Sequence, residues 1–220
     1  MGFFEHYFNF TNEERREEVA VCCPFPHTTP SGVEYFESNP SAHINVKTRM
    51  FHCKVCSQGY SEIAFIAKCY NTTFGNATRL AKVFNNDETL DQWKMYTTLS
   101  VEARNLAHSL GISDAVIDEL NIANNTEGTL LFPVFMMGKL IDIRAYTPGG
   151  TPKIKSRPGA MSGEIIPLDL WQDTPVNKMT LICAGEKDMA TTRSHGFNAI
   201  TITGGEMSLP FSPQMFKDRN

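Results

Sequence analysis

"CCPFPHTTPSG" (residues 22–32) and "FHCKVCSQG" (residues 51–59) decide how this 220-residue chain is read. The first stretch sets Cys22, Cys23 and His27 among Pro24, Pro26 and Pro30. Proline stops a helix and stiffens the backbone. The second holds a C-x2-C pair, Cys53 and Cys56, ahead of Gly59. Together they give Cys23-x3-His27-x25-Cys53-x2-Cys56. Zinc takes four tetrahedral ligands from thiolate and imidazole, and Cys3His is one of its structural sets. Two short ligand pairs on two tight turns, with strands between them, are the pattern of a zinc ribbon. Cys22 competes with Cys23, and His43 or His52 with His27; Pro24 favours Cys23, because it begins the turn that brings His27 around. The region looks too polar to build much of an apolar core, and a bound zinc can supply folding free energy outright. Cys69, in an apolar helical stretch, and Cys183, at a strand end, read as small core residues.

Working outward, "TNEERREEVA" (11–20) predicts a short helix capped by Thr11. "VEYFES" and "HINVKTRMFHC" predict strands joined by the "NPS" turn. Apolar residues three and four apart predict helices from "SEIAFIAKCY" to "ATRLAKVF". "TLDQWKMYTTLSVEARNLAHSLG" continues in the same manner to Gly111, and "SDAVIDELNI" is a further helix capped by Ser113. Beyond "NNTEG" the pattern changes to strands. "TLLFPVF" and "KLIDIRAY" flank "MMG" as a hairpin. "MTLIC", a helical run over 188–195 and "AITIT" form a β-α-β unit with parallel strands. The expected organisation is a zinc ribbon over 1–65, a helical linker over 66–126, and an α/β domain over 127–220. The fold class is thus α+β followed by α/β.

Hydrophobic residues make up 41% of the chain and charged residues 20%, an ordinary globular balance. The net charge of −4 excludes a uniformly basic nucleic-acid binder but not a local basic patch. One such patch is 139–157, where Lys139, Arg144, Lys153, Lys155 and Arg157 face a single Asp142. Lys and Arg in that density suit phosphate. "MGFFEHYFNF" has no basic stretch before its apolar residues and does not read as a signal peptide. No apolar run is long enough to cross a bilayer. The expected location is the cytoplasm, where six cysteines serve as ligands or buried thiols rather than disulfides. Tyr35, Phe36 and Phe51 either stack on single-stranded bases or form the small core.

"CPFPHTTPSG…FHCKVCSQGYSEIAFIAK" resembles the zinc-binding domain of the bacterial and bacteriophage DNA primases. "LLFPVFMMGKLIDIRAY", "GGTPKIKSRPGA" and "LICAGEKDMATTRSHGFNAITITGG" resemble, in the family's order, its strand pair, its Pro-Lys segment and the first β-α-β of its TOPRIM domain. The likeness covers most of 21–210. It implies zinc at Cys23, His27, Cys53 and Cys56, with Mg²⁺ and catalysis at Glu186 and Asp188. It implies nucleotide or nucleic-acid contacts at Lys139, Arg144, Lys153, Lys155 and Arg157. The partners it implies are single-stranded DNA template, ribonucleoside triphosphates and a replicative helicase, fused or separate, in a bacterial or phage-infected cell. The chain departs from the family twice. Ala184 stands where the family has Glu before the motif's Gly. No Asp-x-Asp follows residue 188, so the TOPRIM domain reads as incomplete at its C-terminus. Two further readings compete with a primer-synthesising enzyme. One is a catalytically inert template- or partner-binding protein. The other is a recombination mediator, which ranks below because no helix-hairpin-helix precedes the finger.

Overall fold

The computed structural model describes residues 2–10, 17–84, 99–125, 127–156, 163–204 and 216. The chain divides into two units, Met1–Asp87 and Glu88–Asn220. Both mix helices with sheets, and four sheets lie among the described residues.

The first unit starts with α1 (Phe3–Tyr7) and continues through β1 (Glu18–Val21), β2 (His27–Thr28), β3 (Glu34–Tyr35), β4 (Ala42–Asn45), β5 (Met50–Cys53), β6 (Gly59–Ser61), α2 (Glu62–Cys69) and α3 (Phe74–Phe84). One antiparallel sheet runs β1-β4-β5-β6, and β2 pairs only with β3. Strand alternation puts Val19, Ile44, Phe51 and Tyr60 in one row of partners facing inward, and Ala20, His43, His52 and Gly59 in the next row facing outward.

Three local expectations change. Glu18–Ala20, read as helix, belong to β1, because pairing with β4 overrides their helix propensity; 11–16 lie outside the described residues. "HINVKTRMFHC" is a hairpin, not one strand. Its turn is made by Asn45, whose side-chain oxygen accepts the Thr48 N–H at 2.8 Å, and by Arg49 at φ 55°. "NPS" therefore links β3 to β4 without pairing them. The Ser61 cap on α2 is present, its hydroxyl accepting the Ala64 N–H.

The expected shortage of core is also absent, because the N-terminus supplies one. Phe65 on α2 has the rings of Phe3, Phe4, Tyr7, Phe8, Phe25 and Phe51 around it, at centroid distances of 4.9–6.4 Å. Such contacts add to the area each ring buries. Arg49 locks the assembly. Its guanidinium pairs with buried Glu5 and with Glu62, and lies 5.2 Å from the centre of the Phe4 ring.

The second unit contains α4 (Val101–Ser109), α5 (Asp114–Glu119), β7 (Ala123–Asn124), β8 (Leu130–Met136), β9 (Lys139–Tyr146), β10 (Ile154–Ser156), β11 (Ile165–Ile166), α6 (Leu168–Gln172), β12 (Leu181–Cys183), α7 (Glu186–Ser194) and β13 (Ala199–Ile202). The β8–β9 hairpin is the centre of an antiparallel sheet ordered β10-β9-β8-β7. β12, α7 and β13 form the expected β-α-β with parallel strands, and β11 adds antiparallel to β13. α5 is fastened to α7 by a two-pronged Arg193–Glu119 pair and by Ser113 N–H donating to Ser194 Oγ at 2.9 Å. Ser113 precedes α5 as expected, but its side chain makes no capping bond. The predicted helix over 89–98 lies outside the described residues. The expected boundary at residue 65 falls inside α2, and α4 and α5, expected in a linker, pack in the second unit. No helix among the described residues is long and apolar enough to cross a membrane.

Phe65→Ala removes the ring at the centre of the aromatic cluster. Truncating a fully buried Phe costs about 3–5 kcal/mol, and urea denaturation followed by circular dichroism is expected to show a loss of that size in the first unit.

Candidate metal centre

Cys23 follows β1, His27 opens β2, Cys53 ends β5, and Cys56 lies in the turn before β6. Their ligand atoms all lie within 4.8 Å of one another. Four zinc bonds of tetrahedral geometry, about 2.3 Å to sulfur, put sulfur atoms about 3.8 Å apart, so the group is close to the required size. Cys23, His27 and Cys53 are buried, and Cys56 is half-buried. His27 Nε2 faces the sulfurs, 3.5 Å from Cys53 Sγ.

The sequence left Cys22, His43 and His52 open as substitutes. None joins the group. His43 and His52 are strand neighbours on the outward face, one residue out of phase with Ala42 and Cys53, and a one-residue shift reverses the face.

Electrostatics prepares the site for a cation. Burial pushes the Cys23 thiol up, and the Cys53 and Cys56 sulfurs push the same way. Burial also acts against the Cys53 thiolate, but hydrogen bonds from the Ser41 hydroxyl and the Cys56 and Val55 backbone outweigh it and hold the group below the ordinary thiol range, at about 6. Cys53 is therefore ionised readily, and a bound ion must displace the proton of Cys23.

Glu37 was not singled out by any motif. Its carboxylate accepts the Cys23 N–H at 2.5 Å and the hydroxyl of Ser41, and lies 3.7 Å from His27 Nδ1. Burial opposes its charge, yet the bonds from Ser41 and Cys23 keep its pKa below the usual carboxylate range. At 3.7 Å the carboxylate faces the far nitrogen of His27 without bonding to it, and it supports the group through the Cys23 backbone and Ser41 instead. The signal available was an acidic residue in the loop between the ligand pairs, which no local pattern separates from a solvated one.

Phe51 lies in the core, but Tyr35 and Phe36 are exposed, 41% and 69%, beside Val33 at 60%. All three belong to the β2–β3 segment, and Tyr35 meets the His27 ring edge-on at 5.5 Å.

The second unit separates the other expected site residues. Glu186 follows β12 and opens α7, as the motif requires, but it is buried and accepts Arg144 Nε at 2.7 Å. Arg144 also donates to Ser156 Oγ. Asp188 is half-exposed, pairs with Lys187 at 2.5 Å, and lies two positions along the helix, where side chains do not face each other. Among the described residues, the cysteine–histidine group is the one set of three or more potential ligands that converges. As placed, Glu186 and Asp188 do not fit a Mg²⁺ cage. Lys139, expected on a basic surface, is only 3% exposed, whereas Lys153 and Lys155 are exposed; Arg157 lies outside the described residues. An apolar cavity of about 140 Å³ between β8 and α6, lined by Phe132, Phe135, Leu168 and Met189, includes none of the expected site residues.

No protein-family model and no curated protein matches the chain. Solved structures do. The chain is similar to the Aquifex aeolicus primase zinc-binding and RNA polymerase domains, with 16% identity and a TM-score of 0.44 over 94% of this chain and 65% of that one. It is similar to the E. coli primase catalytic core, with 17% identity and a TM-score of 0.44 over 55% of this chain and 53% of that one. A structure of the bacteriophage T7 lagging-strand DNA polymerase interacting with primase domains also matches, with 14% identity and a TM-score of 0.36 over 85% of this chain and 70% of that one. The chain thus spans less than two thirds of the first two proteins. The likeness concerns the course of the chain, and no site residue is carried over from it.

The purified chain is expected to hold one zinc per molecule by elemental analysis, and Cys53→Ser to hold none. Glu37→Ala is expected to keep the ligands but weaken zinc by roughly 10–100-fold in a chelator competition.

Proposed function

We propose that the chain is of the primase class and that its metal-binding unit takes single-stranded DNA template. The observation that carries this reading is the pairing of a buried Cys3His group with exposed Tyr35 and Phe36 on the strand pair that His27 opens. Zinc there fixes the β2–β3 segment, and two rings held on a stiff support stack bases without needing to read their edges. The order of motifs along the sequence supports the same class. Exposed Lys153 and Lys155 in the second unit suit phosphates of template or of ribonucleoside triphosphates. Primer synthesis and cooperation with a replicative helicase are the finer parts of this reading, and synthesis would require Glu186 to leave Arg144 before it could serve a metal ion.

A second reading is a template-binding protein that makes no primers. It is favoured by Ala184 before Gly185 and by the Arg144–Glu186 ion pair, which occupies the carboxylate that catalysis would use.

Fluorescence anisotropy with a labelled single-stranded oligonucleotide tests the common part. The zinc-loaded chain is expected to bind, more weakly as salt rises. Phe36→Ala is expected to cost about 1–3 kcal/mol, roughly 5- to 150-fold in Kd. No binding by the zinc-loaded chain overturns the proposal. Primer synthesis on that template, lost in Glu186→Ala and Asp188→Ala, selects the first reading; binding without synthesis selects the second.

A further inference from the structure

We propose that His43 and His52 form a second metal site on the outward face of the β4–β5 hairpin, taking one divalent transition-metal ion of the Ni²⁺, Cu²⁺ or Zn²⁺ type. The two residues are direct partners across antiparallel strands. Direct partners have Cβ atoms about 4.5–5.5 Å apart, a span that lets two imidazoles converge on one ion. Both side chains lie on the face turned from the core, with His52 exposed and His43 half-buried. Their row continues to Ala20 on one side and Gly59 on the other, so no large side chain flanks the rings within that row. A Cβ built on Gly59 would meet His52 Cδ2 at 3.6 Å, the distance of an ordinary contact, so glycine leaves that flank open.

The remaining histidines differ. His108 is engaged by Asp114 at 3.0 Å, and His6 packs on Phe84 with ring centres 5.2 Å apart. His27 belongs to the buried group, and His195 lies at the C-terminal end of α7 in the other unit. Among the described residues neither the His43 nor the His52 side chain has a hydrogen bond or ion pair, so ligation competes with no existing partner.

Neutral imidazole suits Ni²⁺, Cu²⁺ and Zn²⁺, whereas hard ions such as Mg²⁺ prefer oxygen. Two imidazoles leave the other coordination positions to water or to an anionic oxygen. The site is thus open and exchangeable, unlike the closed thiolate group on the other side of the same strands.

The full chain with its buried group filled by zinc is titrated with Ni²⁺ by calorimetry and absorption. The expected result is one Ni²⁺ bound without a thiolate-to-metal charge-transfer band, and lost in both His43→Ala and His52→Ala while the zinc content stays at one. Failure of the zinc-loaded chain to bind Ni²⁺ overturns the proposal. So does Ni²⁺ binding that survives in either variant, or that carries the thiolate band and so reports displacement from the buried group. These outcomes do not depend on DNA binding, so they leave the proposed function standing or falling by its own test.

Discussion

Three sulfurs and an imidazole nitrogen within 4.8 Å of one another suit one cation, and once ionised they repel each other without it. Two thiolates 4 Å apart repel by about 4 kcal/mol at the effective dielectric of a partly buried site. Left protonated, the same atoms fill the space with weak donors and acceptors. A zinc ion in this group would reverse the sign of the interaction and tie the small strands around it together. β2 and β3 have two residues each and no other strand partner among the described residues, so their position relative to the main sheet rests on His27 and on Glu37. The loop 37–41 supports the group from outside. Glu37 bonds to the Cys23 backbone and Ser41, while the Ser41 hydroxyl lies 3.4 Å from Cys53 Sγ. The segment that looked like a simple strand-to-strand turn is a brace between the two ligand pairs.

A second constraint acts along the same strands. Phe51 and Cys53 share the inward face of β5, so one strand feeds both the aromatic cluster and the metal group. Phe51 packs on Phe65 at 4.9 Å, and through it on the rings of α1. Arg49, just before β5, pairs Glu5 to Glu62 and fixes where both helices meet the sheet. Burial opposes its charge, but the two carboxylates more than compensate. The exposed pair Tyr35 and Phe36 sits beside the ligand group, joined to it by the β2–β3 pairing and by Glu37, whereas Phe51 and Phe65 sit in the aromatic core.

The ligands were legible because C-x2-C and C-x3-H are local patterns whose geometry the backbone nearly fixes. The β8–β9 hairpin and the β-α-β were legible from apolar runs bounded by turns. Glu18–Val21 was not: a run rich in Glu, Val and Ala suits a helix, and only β4 makes it a strand. Burial of charge was the other blind spot. Lys139, Arg144 and Asp142 looked like one basic segment with a single acid. The structure puts Lys139 and Asp142 inside β9 and turns Arg144 toward Glu186. Residue type gives charge but not the face on which it lies. Phase does give it: counting back from Cys53 puts His52 outward, and β4–β5 pairing then brings His43 beside it.

The Arg144–Glu186 pair redistributes the work expected of the second unit. Both side chains are nearly covered, and they join β9 to the start of α7. Breaking a buried pair by drawing one partner away typically costs about 3–5 kcal/mol, because the other charge is left uncompensated. A phosphate approaching Arg144 must displace Glu186 at that cost, whereas one approaching Lys153 or Lys155 displaces only water. If this unit contacts phosphate as proposed, the two exposed lysines of the β9–β10 edge are the groups that suit it. Arg144, bonded on its other side to Ser156 of β10, holds that edge in place. An arginine and a glutamate that sequence pattern assigned to two separate sites thus serve one structural joint, and the basic surface shrinks to residues that water already reaches.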